Sequence, residues 1–158
     1  MPSASKPFGV FVVAQLIMTI KHTILYAEND FDDFYLLKTA FEYVRPDIDL
    51  IHVGDGWELL EHLQNLKLPS LYPALILLDI NMEGIGGKET LKLLKATKRY
   101  SGIPVAMFTS SRSETDRVFC KEYDINMITK PSSFDDLLEE AKRFGAMCDE
   151  LKMVKNEQ

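Results

Sequence analysis

Four widely separated places in this chain carry side chains that can handle charge: Glu28-Asn29-Asp30, Asp79, Thr109 and Lys130. Each follows a short apolar run: Thr23–Ala27, Ala74–Leu78, Val105–Phe108 and Asn126–Thr129 respectively. Short apolar runs closed by polar residues read as buried strands. In an open parallel sheet, ligands bind at the carboxyl ends of the strands. Folding therefore gathers carboxylates, a hydroxyl and an ammonium along one edge, although no two of the four are close in sequence. An oxygen-rich cluster of this kind suits a hard cation such as magnesium. Magnesium and a lysine together can offset the charge of a phosphoryl group being transferred to a carboxylate.

The elements that must position these residues can be read from the apolar spacing. After the first strand, Phe34, Leu37, Phe41 and Val44 recur at helical intervals and stop before Pro46. Ile48–Val53 is a second strand, followed by the turn Gly54-Asp55-Gly56. Trp57, Leu60, Leu63 and Leu66 mark a second helix, ended by Pro69 and Pro73. The continuously apolar run before Asp79 suits a central strand covered on both faces. Gly84-Ile85-Gly86-Gly87 then leads into a helix bearing Leu91 and Leu94. Pro104 opens the fourth strand, and Ser113 is expected to cap a helix reaching Glu122. Lys130-Pro131 closes the fifth strand, and Ser132 and Ser133 are placed to cap a last helix through Leu137, Ala141 and Phe144. Strand and helix alternate five times with short loops. The expected fold is α/β, a doubly wound five-stranded parallel sheet with helices on both faces.

Residues Thr23–Arg143 resemble the receiver domain of bacterial two-component response regulators, a flavodoxin-like (βα)5 fold. The resemblance is carried by the acidic loop after strand one, Leu-Leu-Asp79-Ile-Asn-Met, Phe-Thr109-Ser and Lys130-Pro131, in that order and each at a strand end. Glu-Asn-Asp-Phe-Asp-Asp in the first loop and Thr-Ser-Ser in the fourth are similar to stand-alone receivers of the phytochrome-associated type. The resemblance implies that Asp79 accepts a phosphoryl group from the phosphohistidine of a sensor kinase. It implies a magnesium site formed by Glu28, Asn29, Asp79 and the backbone carbonyl of Asn81. It gives Thr109 the hydroxyl that bonds the phosphoryl group and moves with it. It gives Lys130 the ammonium that pairs with a phosphoryl oxygen, next to a cis Lys130–Pro131 bond. Asn81 and Ser111 stand where relatives tune the lifetime of the acyl phosphate.

Two departures from the family pattern stand out. Asn29 replaces the second acid, which removes a negative charge from the cation site and should weaken it. Asp30, one residue on, is expected to point elsewhere. Met127 stands where relatives carry a Tyr or Phe that turns inward as the threonine shifts. Methionine fills the same gap with a more adaptable side chain, so Met127 reads either as a less defined switch or as ordinary core filling. The alternative function is accordingly a pseudo-receiver, a binding module that works without phosphorylation. A P-loop is disfavoured: Gly87-Lys88 lacks the following Ser/Thr, and Met82 stands at the first glycine position.

Composition is that of an ordinary soluble globular protein. No Cys/His or Ser/His/Asp arrangement supports nucleophilic catalysis on an outside substrate, and the resemblance implies a cytoplasmic signalling switch rather than an enzyme. The 158 residues carry a formal charge of −6, with 24 acidic against 18 basic side chains and no basic patch, which argues against nucleic acid as a partner. Cys120 and Cys148 show no metal or redox spacing and are expected as reduced, partly buried thiols. His22, His52 and His62 share no metal-ligand spacing. The apolar stretch Phe8–Ile20 is too short to span a membrane, and Met18 is expected as the physiological start. The expected organisation is an extension over residues 1–20, a receiver over 21–150 and a polar tail over 151–158 that frays. The partners implied by the resemblance are a sensor histidine kinase and a histidine phosphotransfer protein or other protein target. A homodimer through helix four, strand five and helix five is open to it, and no membrane partner is expected.

Overall fold

The computed structural model describes residues 22–156; the expected extension over residues 1–20 and the Met18 start lie outside them. Five strands, β1 (His22–Ala27), β2 (Ile48–Val53), β3 (Leu75–Leu78), β4 (Val105–Thr109) and β5 (Asn126–Thr129), form one parallel sheet in the order β2-β1-β3-β4-β5. The helices are α1 (Phe31–Val44), α2 (Gly56–Asn65), α3 (Gly87–Ala96), α4 (Glu114–Glu122) and α5 (Phe134–Asn156). A 3-10 turn, Pro69–Leu71, follows α2, with the proline at its first position, where no backbone donor is needed.

All four residues of β3 are buried, as expected of a strand covered on both faces. Side chains alternate across the sheet and sort into two cores. Ile24, Tyr26, Leu75, Leu77 and Phe108 pack with α1 and α5 through Phe34, Leu37, Phe41, Leu137, Ala141 and Phe144. Leu25, Ile76, Leu78 and Met107 pack with α2, α3 and α4 through Leu59, Leu63, Leu91, Leu94 and Cys120. Met127 is half-buried against this second core. Both thiols are buried and unbridged, and burial raises the pKa of each, Cys148 to about 11.

Several expectations need correction. The first loop is shorter than Glu-Asn-Asp-Phe-Asp-Asp suggests, because Asp30 caps α1 by accepting the Asp32 and Asp33 N–H groups, so both aspartates lie in the helix's first turn. Ser113 sits at the N-cap of α4, but its side chain caps nothing; its N–H donates instead to Ser111 Oγ at 3.2 Å. At α5 the capping is done by Ser133, whose Oγ accepts the Asp136 N–H and donates to Asp136 Oδ2. That helix continues to Asn156, past the expected start of the tail at residue 151; Gly145 lies in its interior without ending it, no proline follows Phe134, and good helix formers dominate its end. The Lys130–Pro131 bond is trans, since no cis peptide occurs among the described residues; the two X–Pro isomers differ by only about 0.5–1 kcal/mol, so the proline alone does not dictate cis.

The sheet brings β1 and β3 side by side in a register that matches Ala27 with Leu78, so Glu28 and Asp79 emerge next to each other. Beyond Asp79, Gly84 takes a left-handed turn (φ 72) and Gly87 opens α3. A Cβ at Gly87 would overlap the Asp79 carbonyl oxygen. The helix can pack this tightly on the strand end only without a side chain there. Gly87→Ala is expected to lower stability by about 1–3 kcal/mol. Urea unfolding checks this; an unchanged midpoint would show that the contact relaxes freely.

Candidate functional site

The sheet order reverses direction between β1 and β3, and the crevice outside that point is where doubly wound sheets place their ligands. Lys130 lies at its centre. Its Nζ donates to Glu28 Oε2, to Asp33 Oδ2 at 2.7 Å and to Asp79 Oδ2 at 3.1 Å. An ammonium has three donors, and all three are used. Burial opposes the Lys130 charge, but the hydrogen bonds to Asp33 and Glu28 and the charge of Asp79 outweigh it, so the ammonium titrates above its ordinary value.

Glu28 is almost completely buried (1% of its side chain exposed) and is bonded at both carboxylate oxygens. Its Oε1 accepts the Asp30 N–H at 2.9 Å, and its Oε2 accepts the Tyr26 hydroxyl at 2.9 Å besides Lys130. Burial pushes its carboxyl above the ordinary range, against the pull of Lys130 and the Asp30 N–H, and the nearby Asp79 charge adds to the push. Burial, with Glu28 beside it, also raises the Tyr26 phenol and keeps it protonated as a donor. Asp79, closing β3, is buried, and its Oδ1 accepts the Asn81 N–H at 3.3 Å.

Thr109 reaches the same rim by another route. It closes β4 in register with Thr129, and its carbonyl accepts the Lys130 N–H at 2.9 Å. The Thr109 hydroxyl is not bonded to Asp79 or Lys130; it accepts the Ser111 N–H at 3.2 Å. The Ser111 hydroxyl donates to Asp116, which pairs with Lys88 at the start of α3. Those two partners, Lys88 first, hold the Asp116 carboxyl below its ordinary range. Lys88 is thereby occupied, consistent with setting aside a P-loop role.

Of the residues singled out from sequence, Glu28 and Asp79 are joined through Lys130, which bonds both, and Thr109 stands beside them through the main chain. Asn29 is exposed and outside the ammonium cluster, and Asn81 is exposed at the crevice mouth. Asp33 was not among the expected site residues, yet it bonds Lys130. His52 was also missed as a site neighbour: its Nε2 donates to the Glu28 carbonyl at 2.7 Å, and its ring stacks on Phe34 with centroids 4.5 Å apart.

The available donors for a cation are oxygens of Glu28, Asp79 and Asn81, hard ligands matched to magnesium. Three carboxylates face one ammonium, leaving negative charge that a divalent ion would offset. Donor chemistry therefore fits the ion. The side chains are drawn around Lys130 rather than into a cage, and no group of three or more acids, histidines or cysteines is arranged to hold a metal among the described residues.

A β2-β1-β3-β4-β5 sheet with an aspartate, a buried glutamate and a lysine gathered at its switch point defines a doubly wound domain built to handle charge at that crevice. The chain belongs to the response regulator receiver domain family, whose model matches residues 24–142. It is 32% identical to the response regulator Rcp1 of Synechocystis sp. (strain ATCC 27184 / PCC 6803 / Kazusa) over 72% of this chain and 80% of Rcp1. It is 31% identical to FilR2, a probable methanogenesis regulatory protein of Methanothrix harundinacea (strain 6Ac), over 68% of this chain but only 60% of FilR2. Among solved structures, the phosphorylated cyanobacterial phytochrome response regulator RcpA superposes with a TM-score of 0.69 at 26% identity, covering 78% of this chain and 90% of that one. The Mn(2+)-bound form of Rcp1 gives 0.66 at 30% identity, covering 76% and 88%. This chain is thus a receiver domain of the two-component signalling type, similar to the phytochrome response regulators. No helix among the described residues is long and apolar enough to cross a membrane.

Proposed function

We propose that the domain is a phosphorylation switch in which Asp79 accepts a phosphoryl group from a sensor histidine kinase. The observation that carries this reading is the Lys130 ammonium bridging Glu28 and Asp79 at the switch point of the sheet. An Asp79 carboxylate oxygen attacks phosphorus, an O–P bond forms, and the N–P bond of the donor phosphohistidine breaks as the imidazole leaves. Lys130 neutralises charge on the phosphoryl oxygens. Thr109, released from the Ser111 N–H, turns its hydroxyl to the new group, and Met127 repacks behind it. A magnesium ion held by Glu28, Asp79 and the Asn81 carbonyl would supply further charge neutralisation. The solved structures of phosphorylated RcpA and Mn(2+)-bound Rcp1 support both halves of this reading by likeness. The output is docking to another protein or relay to a histidine phosphotransfer protein.

Incubation with acetyl phosphate and magnesium tests it: a single phosphoryl increment by intact-mass spectrometry is expected. No increment at saturating magnesium would favour the pseudo-receiver, which Asn29 and Met127 support. Asn29→Asp is expected to tighten magnesium binding severalfold, because it returns a negative charge to the crevice mouth. Calorimetric titration without phosphodonor checks this, and an unchanged affinity would remove position 29 from the cation site.

A further inference from the structure

We propose that Asp33 is a positioning residue that holds Lys130 in the resting site and yields its place when a phosphoryl group arrives on Asp79. The inference rests on the phosphorylation reading above and adds a group that reading does not use. All three donors of the Lys130 ammonium are taken, by Glu28, Asp33 and Asp79. A phosphoryl oxygen needs one of them, so one carboxylate must leave. Side-chain exposure decides which: 1% for Glu28, 9% for Asp79 and 37% for Asp33. Exposed carboxylates are rehydrated at little cost, whereas stranding a buried one is expensive. Glu28 is further tied by Tyr26 and the Asp30 N–H, and Asp79 is the acceptor itself.

Asp33 is therefore the partner that exchanges. Its position in the first turn of α1 lets it swing to solvent without disturbing the core. Until it does, it competes with the phosphoryl group for Lys130 and repels an anionic donor. Removing it relieves both effects.

The test compares wild type, Asp33→Asn and Asp32→Asn at saturating magnesium with acetyl phosphate. Asp32 carries the same charge in the same helical turn and makes no ion pair with Lys130. Asp33→Asn is expected to gain its phosphoryl group roughly twofold to fivefold faster than wild type, the scale of a partly exposed ion pair. Asp32→Asn should match wild type. The ammonium itself gives a second readout, free of metal and donor. Acylation of Lys130 by an amine-reactive reagent, read by peptide mass mapping, should speed up in Asp33→Asn and not in Asp32→Asn. Either quantity unchanged or slower in Asp33→Asn overturns the inference, as does an equal gain in Asp32→Asn. A wild-type protein that takes no phosphoryl group would instead overturn the reading on which the inference stands.

Discussion

Asp79→Asn should take no phosphoryl group under conditions that fully modify the wild type, while folding as well or better. The two halves of this expectation have separate causes. An amide oxygen lacks the negative charge that makes a carboxylate an effective nucleophile toward phosphorus, and none of the neighbouring groups can restore it. The fold, by contrast, loses little. The amide oxygen can still accept the Asn81 N–H that Asp79 Oδ1 accepts, and Lys130 keeps Glu28 and Asp33 as partners. Asp79 also repels the buried Glu28 carboxylate, an effect that helps push the Glu28 carboxyl up. Removing that repulsion favours the folded state, so the thermal midpoint should equal or exceed that of wild type. Intact-mass spectrometry and thermal unfolding of the same preparations provide both measurements. An increment that persists in Asp79→Asn would place the acceptor on another carboxylate of the cluster, with Asp33 the first to examine.

The strands and most helix bounds were legible because apolar runs and their breaks are local. Ala74–Leu78 had to be a covered strand whatever lay around it, and Leu75–Leu78 is buried throughout. The order of strand-end residues then placed Glu28, Asp79 and Lys130 on one rim without any geometry. The part of the site that was not legible depends on direction rather than position. Asp32 and Asp33 are neighbours of the same type, and only the helical turn after Asp30 aims one of them at an ammonium 97 residues away. One available signal was the capping pattern. An aspartate at Asp30 starts a helix there, and Phe34 must then face the core, which sets the phase of Asp33. Asn29 is assigned to the cation site by family position alone; it lies exposed between Glu28 and the cap at Asp30, and no local pattern sets the direction of its side chain. The isomer of Lys130–Pro131 was likewise inherited from resemblance, and it is trans here.

The largest effect on stability is expected from Lys130→Met, which keeps the length of the side chain and removes its charge. Lys130 is mostly buried, and its removal leaves Glu28, the most deeply buried acid of the cluster, facing Asp79 and Asp33 with no cation between them. Breaking a buried pair in this way costs about 3–5 kcal/mol, less to the extent that the carboxylates take up protons. That proviso makes the loss depend on pH, and its sign can be worked out. In wild type the Lys130 ammonium is raised above its ordinary value of about 10.4. Its contribution is fully present below that ordinary value and is lost only as pH rises through the higher folded one, so it is constant between pH 5 and 8. In Lys130→Met the burial that already pushes Glu28 upward acts without the opposing ammonium. The folded protein then holds a proton on Glu28 more tightly than the unfolded chain, whose glutamate titrates near about 4.3. Stability is regained as pH falls through the raised folded value. The deficit of Lys130→Met relative to wild type should therefore be large at pH 8 and clearly smaller at pH 5, as measured by urea unfolding of both proteins at each pH. An equal deficit at the two values would mean that the carboxylates find solvent or another partner once the ammonium is gone. The crevice would then be held by its strands and helices, with Lys130 retained for the chemistry of Asp79 alone.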